Sequence, residues 1–156
     1  MAVKYAYMDA RRYASLRGLT LKGTQKIWDS SLAAIGMLWA KRQDKAALKR
    51  YTDITYERFW CRELDIENIE VVIGVLKEAG VNTTGFEAYQ QSEGRIIHDE
   101  LQDVILDKGY FGVPTYVIDG ESYFGREHLP RVRWHLAGCQ GPVPDIANDS
   151  VLAGSS

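Results

Sequence analysis

The residues best placed to do chemistry lie between Lys108 and Leu129, in KGYFGVPTYVIDGESYFGREHL. Pro114 stands directly before the β-branched and aromatic run Thr115-Tyr-Val-Ile118. Having no N–H to donate to a ladder, a proline belongs at a strand start or on an edge. A cis bond between Val113 and Pro114 would turn the chain sharply and leave the Val113 N–H and C=O free to pair with an extended ligand. The alternative is a proline that only shapes the strand start. Downstream, Gly125 opens the last helix through Arg126, Glu127 and His128. A carboxylate at that end is stabilised by the helix dipole and can accept from backbone N–H groups, so Glu127 reads as a cap or as a ligand contact. For His128, which is not a permanent cation, a surface or packing role is the simpler reading.

Other reactive residue types are sparse. Cys61 and Cys139 form no C-x-x-C, so neither a local redox dithiol nor a cysteine-based zinc knuckle is expected, and both read as free thiols in a reducing cytoplasm. His98 and His135 lack a third ligand at useful spacing, and no metal site is expected. Ser30 and Ser31 read as helix caps, with no partnering base in view, and no catalytic residue is assigned. Tyr110, Phe111, Tyr116, Tyr123 and Phe124 are core or the walls of a groove. Trp39, Phe59 and Trp60 are packing residues or the helical side of a substrate pocket. Arg11, Arg12, Arg17, Lys22 and Lys26 read as a solvated face.

Stepping out to the whole chain, 156 residues give room for one domain with a real core. A net charge of −2 gives no electrostatic case for nucleic acid or an anionic membrane. No apolar run approaches the roughly 18 residues of a membrane span, and the first residues have no apolar signal core.

The elements that must position these residues are mostly helical. Tyr5, Met8, Tyr13 and Leu16 share a face in a helix over 3–17, followed by a linker over 19–28. A second helix is expected from Ser31 to Arg42 with Asp29 or Ser30 as N-cap, and a third, capped by Asp44, to about Glu63. The β-branched stretch from Asn68 to Ala79 could be a strand, but its Asn cap, length and Gly80 exit favour helix. A short helix starting at Thr83 or Thr84 precedes one from Gly94 to Lys108, striped by Ile97, Leu101, Val104 and Ile105 and closed by Gly109. Asp119-Gly120 is a strong hairpin dipeptide between Thr115–Ile118 and Ser122–Phe124. The remainder from Gly138 has turn formers and little periodicity.

This order resembles the end of a thioredoxin-like domain, and more narrowly the 2-hydroxychromene-2-carboxylate isomerase group, relatives of kappa-class glutathione transferases and DsbA-type oxidoreductases. That group typically reads G-V-F-G-V-P-T-F, a D-G turn, then W-G-x-D-R-L. Here the matching residues are Gly109-Tyr-Phe-Gly-Val-Pro-Thr-Tyr116, Asp119-Gly120 and Phe124-Gly-Arg-Glu-His-Leu129; Tyr7-Met8-Asp9 and Arg12 match an earlier segment loosely. The resemblance covers about residues 4–137. It implies an α/β, mostly helical chain with a DsbA-like thioredoxin fold: a helical insertion over 1–108, a β-β-α part over 109–137 and a flexible tail over 138–156.

The resemblance also implies a ligand. Glutathione would bind through the backbone at Val113 and Pro114, with its γ-glutamyl ammonium near Gly125, Glu127 and His128. A small aromatic or conjugated substrate would complete the complex. Glu127 and His128 replace the Asp and Arg of the group, one reaching further and the other losing the permanent charge. The match starts partway into the family pattern, without the N-terminal β-α-β unit that carries the nucleophile, so residues 1–156 are expected to be inactive or nearly so alone. Two other readings stand beside this one. The first is a non-catalytic helical module or degenerate remnant, stabilised through the hairpin edge by self-association as a homodimer or by another subunit supplying strands. The second, a DsbA-type thiol oxidase, fails on the absent C-x-x-C.

Overall fold

The computed structural model describes residues 2–144. Its elements run α1 (Ala2–Ser15), α2 (Ser31–Gln43), α3 (Lys45–Trp60), α4 (Ile69–Glu78), α5 (Phe86–Gln91), α6 (Glu93–Asp107), β1 (Thr115–Ile118), β2 (Glu121–Phe124), a 3-10 turn at Arg126–His128, and α7 (Leu129–Leu136). The chain divides into two compact units, the first up to Gln102 and the second from Asp103. Much of the expected tail lies outside the described residues.

Local chemistry accounts for most helix ends in the first unit. The Asp44 carboxylate accepts from the Ala47 N–H at 2.9 Å and starts α3. The Asn68 side chain accepts from Glu70 and Val71 and starts α4, so a good cap outweighs the β-branched content that follows. At α2 the N-cap position belongs to Ser30, yet the Asp29 carboxylate takes the Ser31 N–H. Helix α3 stops at Trp60, three residues short of the expected end, with Arg62 in the left-handed region. Helix α5 begins at Phe86 behind Gly85, because Asn82 rather than either threonine takes the nearby Thr84 N–H.

The core of this unit is apolar and closely filled. Tyr51, Phe86, Ile35, Leu76 and Val72 are its largest fully buried side chains. Burial pushes the Tyr51 phenol up to about 12, opposed by the neighbouring Thr55 hydroxyl, and the phenol donates to the Ala33 carbonyl at 3.0 Å. A Cβ at Gly36 would collide with that phenol, so the α2–α3 approach depends on the missing side chain. The linker is held from both sides: Arg11 Nε donates to the Leu21 carbonyl at 2.9 Å, and Arg62 donates to the carbonyls of Lys22 and Gly23. Arg11 is exposed, as a solvated face requires, and also fastens the linker. Lys26 likewise pairs with Glu67 and lies 4.2 Å from the Trp28 ring centroid.

Three carboxyls in this unit titrate below their ordinary range. Asp29 is lowered by its hydrogen bonds to Ser31, Asp44 by the Ala47 and Ala46 N–H groups, and Glu67 by Lys26 and then the Asp29 N–H. A carboxyl with a lower pKa folded than unfolded contributes stability that is complete above its unfolded pKa and lost as pH falls through the folded value. Thermal midpoints are accordingly expected to stay flat from neutral pH down to about 5 and to drop below about 4. An Asp44→Asn/Glu67→Gln double variant should show a shallower drop in the same melts.

Two expected apolar stripes are not covered. Tyr5 and Met8 of α1 are exposed, as are Leu16 just past its end and Leu101, Val104 and Ile105 of α6, with Leu106 beside them at 70%. Periodicity reports which residues share a helix face, whereas burial also needs a partner, and the described residues supply none there.

In the second unit β1 and β2 pair antiparallel, with Tyr116 opposite Tyr123 and Val117 opposite Ser122. Asp119 and Gly120 both have positive φ, 51° and 84°, as the tight turn between right-twisting strands requires. Tyr123 and Val132 are its buried apolar residues.

Candidate functional site

One end of the hairpin gathers most of the residues singled out from sequence. The Val113–Pro114 peptide is cis. The Gly125 N–H donates to the Pro114 carbonyl at 3.0 Å, extending the β1–β2 ladder by one bond. Thr115 Oγ1 donates to the Gly112 carbonyl at 2.6 Å, and the Phe124 ring fills the space a side chain at Gly112 would need. Phe111 packs on Phe124 at a tilt of 48°, with ring centroids 4.8 Å apart. The loop is thus braced on both sides of Val113, which stands out at 89% exposed. Among the described residues nothing bonds to the Val113 N–H or C=O. An extended chain could take both, in the manner of an added strand.

Glu127 reaches the same end from the other strand. Its carboxylate folds back over the Gly125 Cα, 2.5–2.6 Å from where a Cβ would sit. Gly125 has φ 104° and is buried, so the site requires glycine there for both backbone and space. The N-cap position of the 3-10 turn is Gly125, which has no side chain to cap it. Among the described residues the exposed carboxylate has no hydrogen-bond or ion-pair partner, which leaves it free for a cation. His128 is not gathered with it; its ring packs on Tyr123 at 5.9 Å between centroids. Val113, Pro114, Gly125 and Glu127 therefore meet at one end, and His128 turns inward.

The first unit holds a cavity of about 450 Å³. Trp28, Phe59, Trp60, Met37 and Ile66 give it apolar and aromatic walls. Phe59 sits edge-on to both Trp28 and Trp60, at 5.8 and 5.1 Å between centroids. Thr55, only 7% exposed, also lies at the cavity wall, with its hydroxyl beside the Tyr51 phenol. Phe59 and Trp60 are wall residues, while Trp39 is not. Its ring packs on Tyr89 and Phe86 at 4.9 and 6.0 Å, and its Nε1 donates to the Asn82 carbonyl. Trp39 ends the stripe of α2 and Trp60 that of α3, so helical spacing did not separate their roles, and Thr55 carried no signal in sequence at all.

The remaining candidates resolve as packing or capping. Ser31 is buried and accepts from Arg95 at 3.1 Å. His98 lies 2.8 Å from its neighbour Asp99. Among the described residues no three His, Cys, Asp or Glu side chains converge on a common metal position. Cys61 and Cys139 are not disulfide-bonded. No described helix is long and apolar enough to cross a membrane.

A family model for the DSBA-like thioredoxin domain matches residues 1–137. The 2-hydroxychromene-2-carboxylate isomerase of Pseudomonas putida is 23% identical over 128 residues, 80% of this chain and 61% of that protein. The chain thus spans less than two thirds of that relative. A solved structure of a 2-hydroxychromene-2-carboxylate isomerase superposes with a TM-score of 0.71 at 20% identity, over 89% of this chain and 71% of the other.

Proposed function

Because this chain belongs to the DSBA-like thioredoxin domain family, we propose that it acts in glutathione-dependent isomerisation or transfer on a small aromatic or conjugated compound. The exposed, unbonded backbone of Val113 carries the reading. A cysteinyl residue laid along it would exchange two main-chain hydrogen bonds, and the free Glu127 carboxylate would take a γ-glutamyl ammonium. The aromatic-walled cavity of the first unit suits a flat, largely apolar substrate of bicyclic size. A 2-hydroxychromene-2-carboxylate, the substrate in the relative's name, is of this kind.

Residues of the hairpin end offer contacts that orient glutathione. Among the described residues none there is placed to activate its thiol. Turnover by residues 1–156 is expected to stay near the rate with glutathione alone. The two unpaired cysteines suit a reducing cytoplasm.

Calorimetric titration with reduced glutathione tests the binding step. Saturable heat in the micromolar-to-millimolar range is expected, and Glu127→Gln should weaken affinity about 10- to 100-fold, the worth of one charged hydrogen bond. No heat at millimolar ligand, or equal affinity in the variant, removes the assignment of Val113 and Glu127.

A second reading, an interaction module, is favoured by the exposed Leu101, Val104, Ile105 and Leu106 on α6. Size-exclusion across a concentration series discriminates: a monomer at all concentrations argues against self-association.

A further inference from the structure

Outside the hairpin end, the second unit contains a chain of four side chains that sequence separates and the fold brings together. Cys139 Sγ lies 3.7 Å from His135 Nδ1. His135 Nε2 lies 2.8 Å from the Tyr123 hydroxyl, which in turn contacts the Glu121 carboxylate. The backbone fixes the first link. The Cys139 N–H closes α7 onto the Trp134 carbonyl at 3.0 Å and holds the thiol one turn from the imidazole. Cys139 itself is exposed.

Donor and acceptor counting sets the direction of this relay. An ionised carboxylate only accepts, so the single proton of the Tyr123 hydroxyl goes to Glu121. That bond, more than burial, raises the Tyr123 phenol above its ordinary range, with Arg131 acting in the opposite sense. The phenol oxygen accepts from the Arg131 guanidinium and, with its remaining lone pair, from His135, which places the imidazole proton on Nε2. Nδ1 is left as the only acceptor of the neutral ring, and it faces the thiol. A base with a fixed tautomer beside a thiol, backed through a hydrogen bond by a carboxylate, is the arrangement that activates sulfur nucleophiles.

We propose that Cys139 is a site of thiol–disulfide exchange with small disulfides, assisted by His135 as the base. In the forward step Cys139 Sγ attacks one sulfur of a disulfide R–S–S–R. A Cys139–S–S–R bond forms and the R–S bond to the second sulfur breaks. The thiol proton passes to His135 Nδ1 and then to the departing thiolate, giving R–SH. The disulfide supplies the oxidising equivalents, so no other co-reactant is needed. The imidazolium formed in between is offset by the Glu121 carboxylate through Tyr123. Neither Val113 nor Glu127 takes part.

The test uses the full chain carrying Cys61→Ser, so that Cys139 is the only thiol, and an aromatic disulfide reagent that releases a coloured thiolate. The folded protein is expected to react about tenfold or more faster than the same protein in denaturant, whereas an exposed thiol with no base would gain nothing from folding. His135→Asn should abolish that advantage. Tyr123→Phe, which keeps the buried ring and severs the link to Glu121, should reduce it while leaving the thermal midpoint within a few degrees. Equal folded and unfolded rates, or an undiminished rate in both variants, overturn the proposal. Should His135→Asn fail to fold, Tyr123→Phe decides alone: a slower reaction supports the relay and an unchanged one refutes it.

Discussion

Replacing Phe86 with alanine is expected to lower the stability of the helical unit by about 3–5 kcal/mol, the cost of removing a fully buried aromatic side chain and leaving a cavity. Phe86 is 0% exposed and packs beside Trp39, whose indole in turn holds the Asn82 carbonyl. The α4–α5 connection thus loses its central contact. Gln43 also exchanges two hydrogen bonds with Asn82, so the strain would reach the end of α2. Urea melts followed by far-ultraviolet circular dichroism measure this loss. A change below 1 kcal/mol would mean that the site can collapse around the smaller residue, and that the aromatic cluster is not the keystone of the unit. Phe86→Leu, which keeps most of the apolar volume, should recover more than half of the loss.

Gly125→Ala is expected to do the comparable damage in the second unit. At φ 104° an L side chain is strained, and its Cβ would fall 2.5 Å from the Glu127 carboxylate. The backbone term alone is about 1–3 kcal/mol. The carboxylate must also swing off the Gly125 Cα, and the Gly125 N–H bond to the Pro114 carbonyl is put at risk. Two readouts separate these effects. Thermal melts report the strain, and glutathione titration reports whether the displaced carboxylate matters, with affinity expected to fall by about tenfold or more on the proposed function. Glu127→Gln in the same titration removes the charge without the strain. A Gly125→Ala protein that melts and binds like the parent would show that the hairpin end relaxes freely, and the site as described here would have no fixed geometry.

Much of the site was legible because it is local. The Val113–Pro114 pair, the Asp119-Gly120 turn and the Gly125–Glu127 opening lie within about fifteen residues, and a hairpin forces its two ends together whatever surrounds it. The capping residues Asp44 and Asn68 were legible for the same reason: each acts on N–H groups two or three positions away. His128 was less so. Whether it points at a ligand or at Tyr123 depends on how the 3-10 turn is rotated, and the sequence carries no periodicity over three residues.

Residue order alone settles the features decided within one or two turns of chain: helix existence, caps, the hairpin and the family pattern strung along them. Which apolar faces find partners emerges only once the chain has folded. Folding left the stripes of α1 and the second half of α6 exposed, packed Trp39 on Tyr89 and Phe86 while Phe59 and Trp60 wall a cavity, and set His135 between Tyr123 and Cys139. The reason is physical. Backbone hydrogen bonds and turn sterics are settled by neighbours in sequence, whereas burial and side-chain pairing are settled by residues that meet only after the chain has closed upon itself.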